Sequence, residues 1–170
     1  MRDVTDLPVF TEFGFSDSEW GLLVGLPQSV LTAASAAEHD GTRRTLAENH
    51  AGLEAIAEGR ESASPLVTAV AAELVTRVGD PEAGEELPAI EPSDPQAYAD
   101  DVLARAKEAA QLLTAKASEG EAGAYKHWLV TIAEQVVTAA PSGGILGVGG
   151  DVVTDSERIF RDRLSAVLND

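Results

Sequence analysis

The sequence predicts an all-α protein, a single bundle of about six helices formed by one domain spanning residues 1–170. Three observations predict it. Apolar residues recur at three- and four-residue spacing in six separate stretches, and no two stretches alternate apolar and polar residues as paired strands would. Helix start and stop signals bracket most of these stretches. Hydrophobic residues make up 44% of the 170, enough to bury a core in a chain of ordinary one-domain length.

Each element has its own local reason. Ser16-Asp17-Ser18-Glu19 is a capping box: Ser at N-cap, Glu at N3 and an acidic first turn. Trp20, Leu23, Val24, Val30, Leu31 and Ala34 follow at helical spacing, with Pro27 expected to kink or break the helix. The end is expected near Glu38-His39-Asp40-Gly41. A second helix runs from Thr42 to Glu58 with Leu46, Leu53, Ile56 and Ala57 on one face and Gly59 placed as a C′ glycine. Ser64 as N-cap and Pro65 at N1 open the third, whose stripe is Leu66, Val70, Leu74 and Val78. Residues 79–96 hold four Pro and six acids with no base, an acidic loop or linker within the domain.

Ser93 or Asp94, then Pro95, starts the fourth helix, with Val102, Ala106, Ala109, Leu113 and Ala117 inward. Its many alanines favour close helix approach. Gly120 or Gly123 is expected to separate it from the fifth, marked by Tyr125, Trp128, Leu129, Ile132, Val136 and Val137 and stopped by Pro141. A second capping box, Thr154-Asp155-Ser156-Glu157, opens the last helix, with Ile159, Phe160, Leu164, Val167 and Leu168 inward. A short extended piece is the one exception allowed, around 150–153. Val30-Leu31-Thr32-Ala33-Ala34 matches Val136-Val137-Thr138-Ala139-Ala140 at an offset of 106, which also aligns Leu23 with Leu129 and Leu53 with Ile159. This suggests a duplicated helix-loop-helix unit.

Charge and composition exclude several classes. A net charge of −17 and a pI near 4.4 repel polyanions, so no nucleic-acid partner is expected. Without Cys there is no disulfide, thiolate metal site or thiol nucleophile. No apolar run reaches the roughly 18 residues of a membrane span, and 1–15 lacks a signal-peptide apolar region. The cytoplasm is the expected compartment. Nine Arg against only three Lys (Lys107, Lys116, Lys126), with the acid excess, fits either high-salt adaptation or GC-rich coding.

Motifs with chemical meaning are sparse. Gly143-Gly144-Ile145-Leu146-Gly147-Val148-Gly149-Gly150 follows a helix rather than a strand and lacks the Lys of a P-loop, so phosphate binding is not expected of it. Ile145, Leu146 and Val148 are instead expected to plug the bundle, or to contact a partner. His50 and Glu54, four apart, could share a helix face, and Glu38, His39 and Asp40 cluster at a turn, but no His-Glu-x-x-His spacing exists and no metal or other cofactor is expected. Ser29, Ser35 and Ser142 lack the elbow of a serine hydrolase. No Asp-rich Ca²⁺ loop is present. Trp20 and Trp128 read as core anchors.

Taken together, Trp20-Gly-Leu-Leu-Val-Gly-Leu-Pro27, Ser64-Pro65-Leu66-Val67, Tyr125-Lys-x-Trp-Leu129, the Gly143–Gly150 loop and Thr154-Asp-Ser-Glu157 resemble a family of small prokaryotic helical proteins, uncharacterised in activity. In that family the late loop usually reads Gly-Gly-Phe-Leu-Gly-x-Gly-Gly, where this chain has Ile145. The resemblance implies a helical bundle and assigns no functional residue. The expected function is therefore a non-enzymatic interaction or assembly module, self-associating or binding another protein. The alternative is a small-molecule or metal-binding bundle with a stress-related role, using His50, Glu54 and nearby carboxylates.

Overall fold

The computed structural model describes residues 13–36, 42–78, 92–139 and 155–169. Their order is α1 (Asp17–Ala36), α2 (Thr42–Glu58), a 3₁₀ turn (Gly59–Glu61), α3 (Pro65–Val78), α4 (Pro95–Lys116), α5 (Glu119–Ala139) and α6 (Asp155–Leu168). No strand occurs among the described residues, and the all-α expectation holds. The stretches 140–154 and 79–91, and with them the glycine loop, most of the acidic segment, the extended piece near 150–153 and Thr154 of the second capping box, lie outside the described residues.

Helices α1 and α5 form the centre, and each touches every other described helix. Their composition explains this. From Leu26 to Ser35 α1 is buried at every residue but Gln28, so it has no solvent face to satisfy. In α5, Tyr125, Leu129, Ile132, Ala133, Val136 and Val137 are fully enclosed. The surrounding helices contribute one stripe each, such as Leu66, Val70 and Leu74 from α3 and Val102, Ala106, Ala109 and Leu113 from α4. Two glycines set the packing distances. A Cβ on Gly52 would collide with the Leu31 side chain, and one on Gly59 would stand 2.8 Å from the Trp128 ring and 2.9 Å from Ala71.

The caps form as their sequences require. The Ser16 amide donates to Glu19 Oε1 at 2.8 Å, and the Glu19 amide donates to Ser16 Oγ at 3.2 Å, a reciprocal box. Asp94, rather than Ser93, caps α4 by accepting from the Ala97 amide at 3.0 Å. Ser64 caps α3 by accepting from the Val67 amide at 3.3 Å.

The structure departs from the expectations at several points. Pro27 does not break α1, which runs continuously from Asp17 to Ala36. The α4–α5 boundary falls at Ala117-Ser118, not at Gly120 or Gly123; Ser118 Oγ accepts from the Glu121 amide at 3.2 Å, and a polar N-cap fixes a helix start more firmly than a tolerated helical glycine ends one. Gly59 opens a 3₁₀ turn and is not in the left-handed region, where among the described residues Gly14 is found at φ 78°; its missing side chain makes room for Trp128. Ile159 points outward, 57% exposed, because Phe160, Leu164 and Leu168 form the inward i, i+4, i+8 stripe and Ile159 sits about 100° away on the helix. The proposed repeat keeps its register in α1 and α5, where Leu23 and Leu129 are both enclosed, but loses it where Leu53 is buried and Ile159 is not.

Candidate functional site

Most polar side chains of the interior are bonded to the backbone or to each other; Arg105 Nε, buried without a hydrogen bond, lies 2.9 Å from Asp101 Oδ2 as an ion pair. Pro27 has no amide hydrogen, so the Leu23 carbonyl four residues earlier loses its helical partner. The fully buried Tyr125 hydroxyl donates to that carbonyl at 2.7 Å, which explains how an internal proline is carried without a break. Burial alone pushes the Tyr125 phenol well above its usual pKa. Trp128 Nε1 donates to the Ala55 carbonyl at 3.1 Å, near the end of α2. Glu121 reaches from α5 to the start of α3, where its Oε2 accepts from Ser64 Oγ at 2.9 Å and from the Leu66 amide at 2.8 Å. Trp20 stacks on Phe13 and Phe15, and its Nε1 donates to Glu73 of α3, which also holds Arg77 at 3.0 Å. Both tryptophans are core anchors, as expected of them.

The sequence-level candidates are not brought into one site. His50 Nε2 lies 3.0 Å from Glu54 Oε1 on an exposed helix face, and no group of three or more His, Asp or Glu converges among the described residues. His127 is exposed on α5, and His39 lies outside the described residues. Ser35 donates to the buried Glu48 carboxylate at 2.9 Å, and Ser29 donates to the Gly25 carbonyl at 3.1 Å while accepting from Arg105 at 3.2 Å. Ile145, Leu146, Val148 and Ser142 lie outside the described residues.

One feature that helical periodicity alone does not reveal is a cleft of about 310 Å³ where α4, α5 and α6 meet. Lys107, Ala110, Gln111 and Thr114 line it from α4, Lys126 from α5 and Val167 from α6. It holds two of the three lysines in the chain. Lys116, the third, is ion-paired to Glu19 at 2.7 Å and holds that carboxyl below its usual range. Arg77, Arg105, Arg161 and Arg163 are each paired to an acid, whereas neither Lys107 nor Lys126 makes an ion pair among the described residues. The sequence did carry a signal. The helical neighbours of Lys107 at three and four residues are Leu103, Ala104, Ala110 and Gln111, and those of Lys126 are Ala122, Gly123, Leu129 and Val130, none acidic in a chain with 29 acids.

No family model matches the chain, and comparison with curated proteins and with solved structures finds no match. Among the described residues, Trp20, Pro27, Ser64, Tyr125 and Trp128 of the motifs noted in the sequence are packing or capping residues, and Lys126 lines the cleft.

Proposed function

We propose that this chain is a non-enzymatic interaction module that works through its outer surface and assembles with copies of itself. The observation that supports this reading is the engagement of the interior polar side chains: Tyr125, Trp128 and Glu121 are spent on backbone groups that the fold leaves open. Polar groups used in this way join elements together and leave recognition to the surface. Kinship with the small prokaryotic helical family belongs to the same proposal, since the shared positions that can be followed, Trp20, Pro27, Ser64, Tyr125 and Trp128, build the bundle. So does a cytoplasmic setting.

Self-association of a chain carrying −17 works against like-charge repulsion, which salt screens over about 10 Å at 0.1 M and 3 Å at 1 M. Sedimentation velocity over a range of protein concentrations, from about 0.05 to 2 M KCl, should show a species heavier than the monomer that gains population with salt. A monomer at every concentration and salt would refute assembly. The small-molecule reading has an observation of its own in the lysine cleft.

A further inference from the structure

We propose that the cleft between α4, α5 and α6 binds a small phosphomonoester, with the Lys107 and Lys126 ammonium groups as its anion-holding pair. This goes beyond the assembly reading and does not depend on it.

Charge is the first ground. On a surface of net −17, Arg77, Arg105, Lys116, Arg161 and Arg163 are each covered by an acid, while Arg158 stands exposed without one among the described residues. Two lysines on different helices share one concavity, and neither has an acid partner among the described residues. A bound dianion would meet both ammonium groups within the one concavity. Size is the second ground. About 310 Å³ lies at the small end of ligand clefts, enough for a phosphate on a short carbon body.

The donor chemistry accommodates a phosphate. A lysine ammonium is a point charge with three rotatable donors, which can follow the oxygens of a tetrahedral phosphate. Nine of the twelve bases are Arg, yet none lines the cleft. Gln111 adds an amide donor at the wall. The Thr114 hydroxyl hydrogen is directed to the Ala110 carbonyl at 2.9 Å, so Thr114 presents its methyl and lone pairs instead. Ala110 and Val167 supply apolar wall for the carbon body.

The test is a titration of the full chain in a phosphate-free buffer at low ionic strength, followed by amide chemical shifts and by calorimetry. The probes are inorganic phosphate, glycerol 3-phosphate and succinate. Glycerol 3-phosphate should saturate, bind tighter than succinate, and shift the amides of Ala110, Gln111, Thr114 and Lys126. Lys107→Gln/Lys126→Gln should weaken it at least tenfold. Arg158→Gln, an equal change of charge per site about 13 Å along α6 from Val167, should leave it within twofold. Circular dichroism checks that each variant folds; if the double variant does not, Lys107→Gln alone should weaken binding at least threefold. A linear, unsaturable response, unchanged affinity in the lysine variants, or an equal loss in Arg158→Gln overturns the site. Tighter binding of succinate overturns the phosphate assignment.

Discussion

Replacing Tyr125 by Phe removes one oxygen from a fully enclosed ring and leaves the Leu23 carbonyl without a donor, because Pro27 cannot supply one. A buried acceptor stripped of its partner costs about 1–3 kcal/mol. The same change made beside Pro27→Ala has a different meaning. An alanine at position 27 brings an amide that reaches the Leu23 carbonyl through the ordinary helical bond, so loss of the phenol should then cost only about 0.5–1 kcal/mol, the net worth of a redundant hydrogen bond. A double-mutant cycle by urea denaturation should return a coupling of about 1–2 kcal/mol between residues 27 and 125. Equal costs in both backgrounds would refute the pairing of the proline with the tyrosine. The pH dependence adds a second reading. The folded phenol titrates well above its usual value, so its contribution is whole below about pH 10, the unfolded pKa, and is lost as pH rises from there toward the folded pKa. Tyr125→Phe should flatten that alkaline loss.

The helical glycines should divide by their surroundings. Gly59→Ala meets Trp128 and Ala71 and should cost about 1–3 kcal/mol, while Gly120→Ala and Gly123→Ala meet nothing within 4 Å and should each add about 0.5–1 kcal/mol; chemical denaturation reads both signs. Glu121→Gln weakens two charge-assisted bonds to the start of α3 and should lower stability by about 0.5–2 kcal/mol, with exchange of the Leu66 amide accelerated. Glu19, drawn below its usual pKa chiefly by its hydrogen bond to Lys116, contributes stability above the unfolded carboxyl pKa that is lost as pH falls through the folded value, so Lys116→Gln should soften the acid limb of the stability curve. The melting temperature should rise from low to molar KCl as the charge of −17 is screened; a flat or falling curve would argue against adaptation to salt.

Features that depend on near neighbours in the chain were legible. The Ser16–Glu19 box, the Ser64-Pro65 cap, the α3 stripe as far as Leu74 and the α5 stripe each need only a few adjacent residues, and all formed. What escaped needs a second element. Gly59 follows the end of α2 as the sequence reads it, but the room it leaves for Trp128 is seen only in the fold, and Pro27 reads as a kink or break until Tyr125 closes it. Ser118-Glu119-Gly120-Glu121 has the form of a capping box, but nearby glycines drew the boundary away from it, and its glutamate caps α3 instead. The lysine cleft joins three helices, and its trace in the sequence is an omission, the missing acids around Lys107 and Lys126.

The placement of α1 and α5 at the centre has a consequence for how the chain is made. Helix α1 ends at Ala36 and α5 at Ala139, so one half of the central pair is synthesised 103 residues before the other. At about 5–20 residues per second this is roughly 5–20 s during which a segment with almost no polar face has left the ribosome without its principal partner. Early contact with α2 covers only part of it. Contacts between such distant segments also slow the search for the native pairing. The nascent chain is thus most exposed to aggregation and to chaperone capture between the emergence of α1 and that of α5, and a stall placed in the acidic stretch between α3 and α4 would prolong that interval.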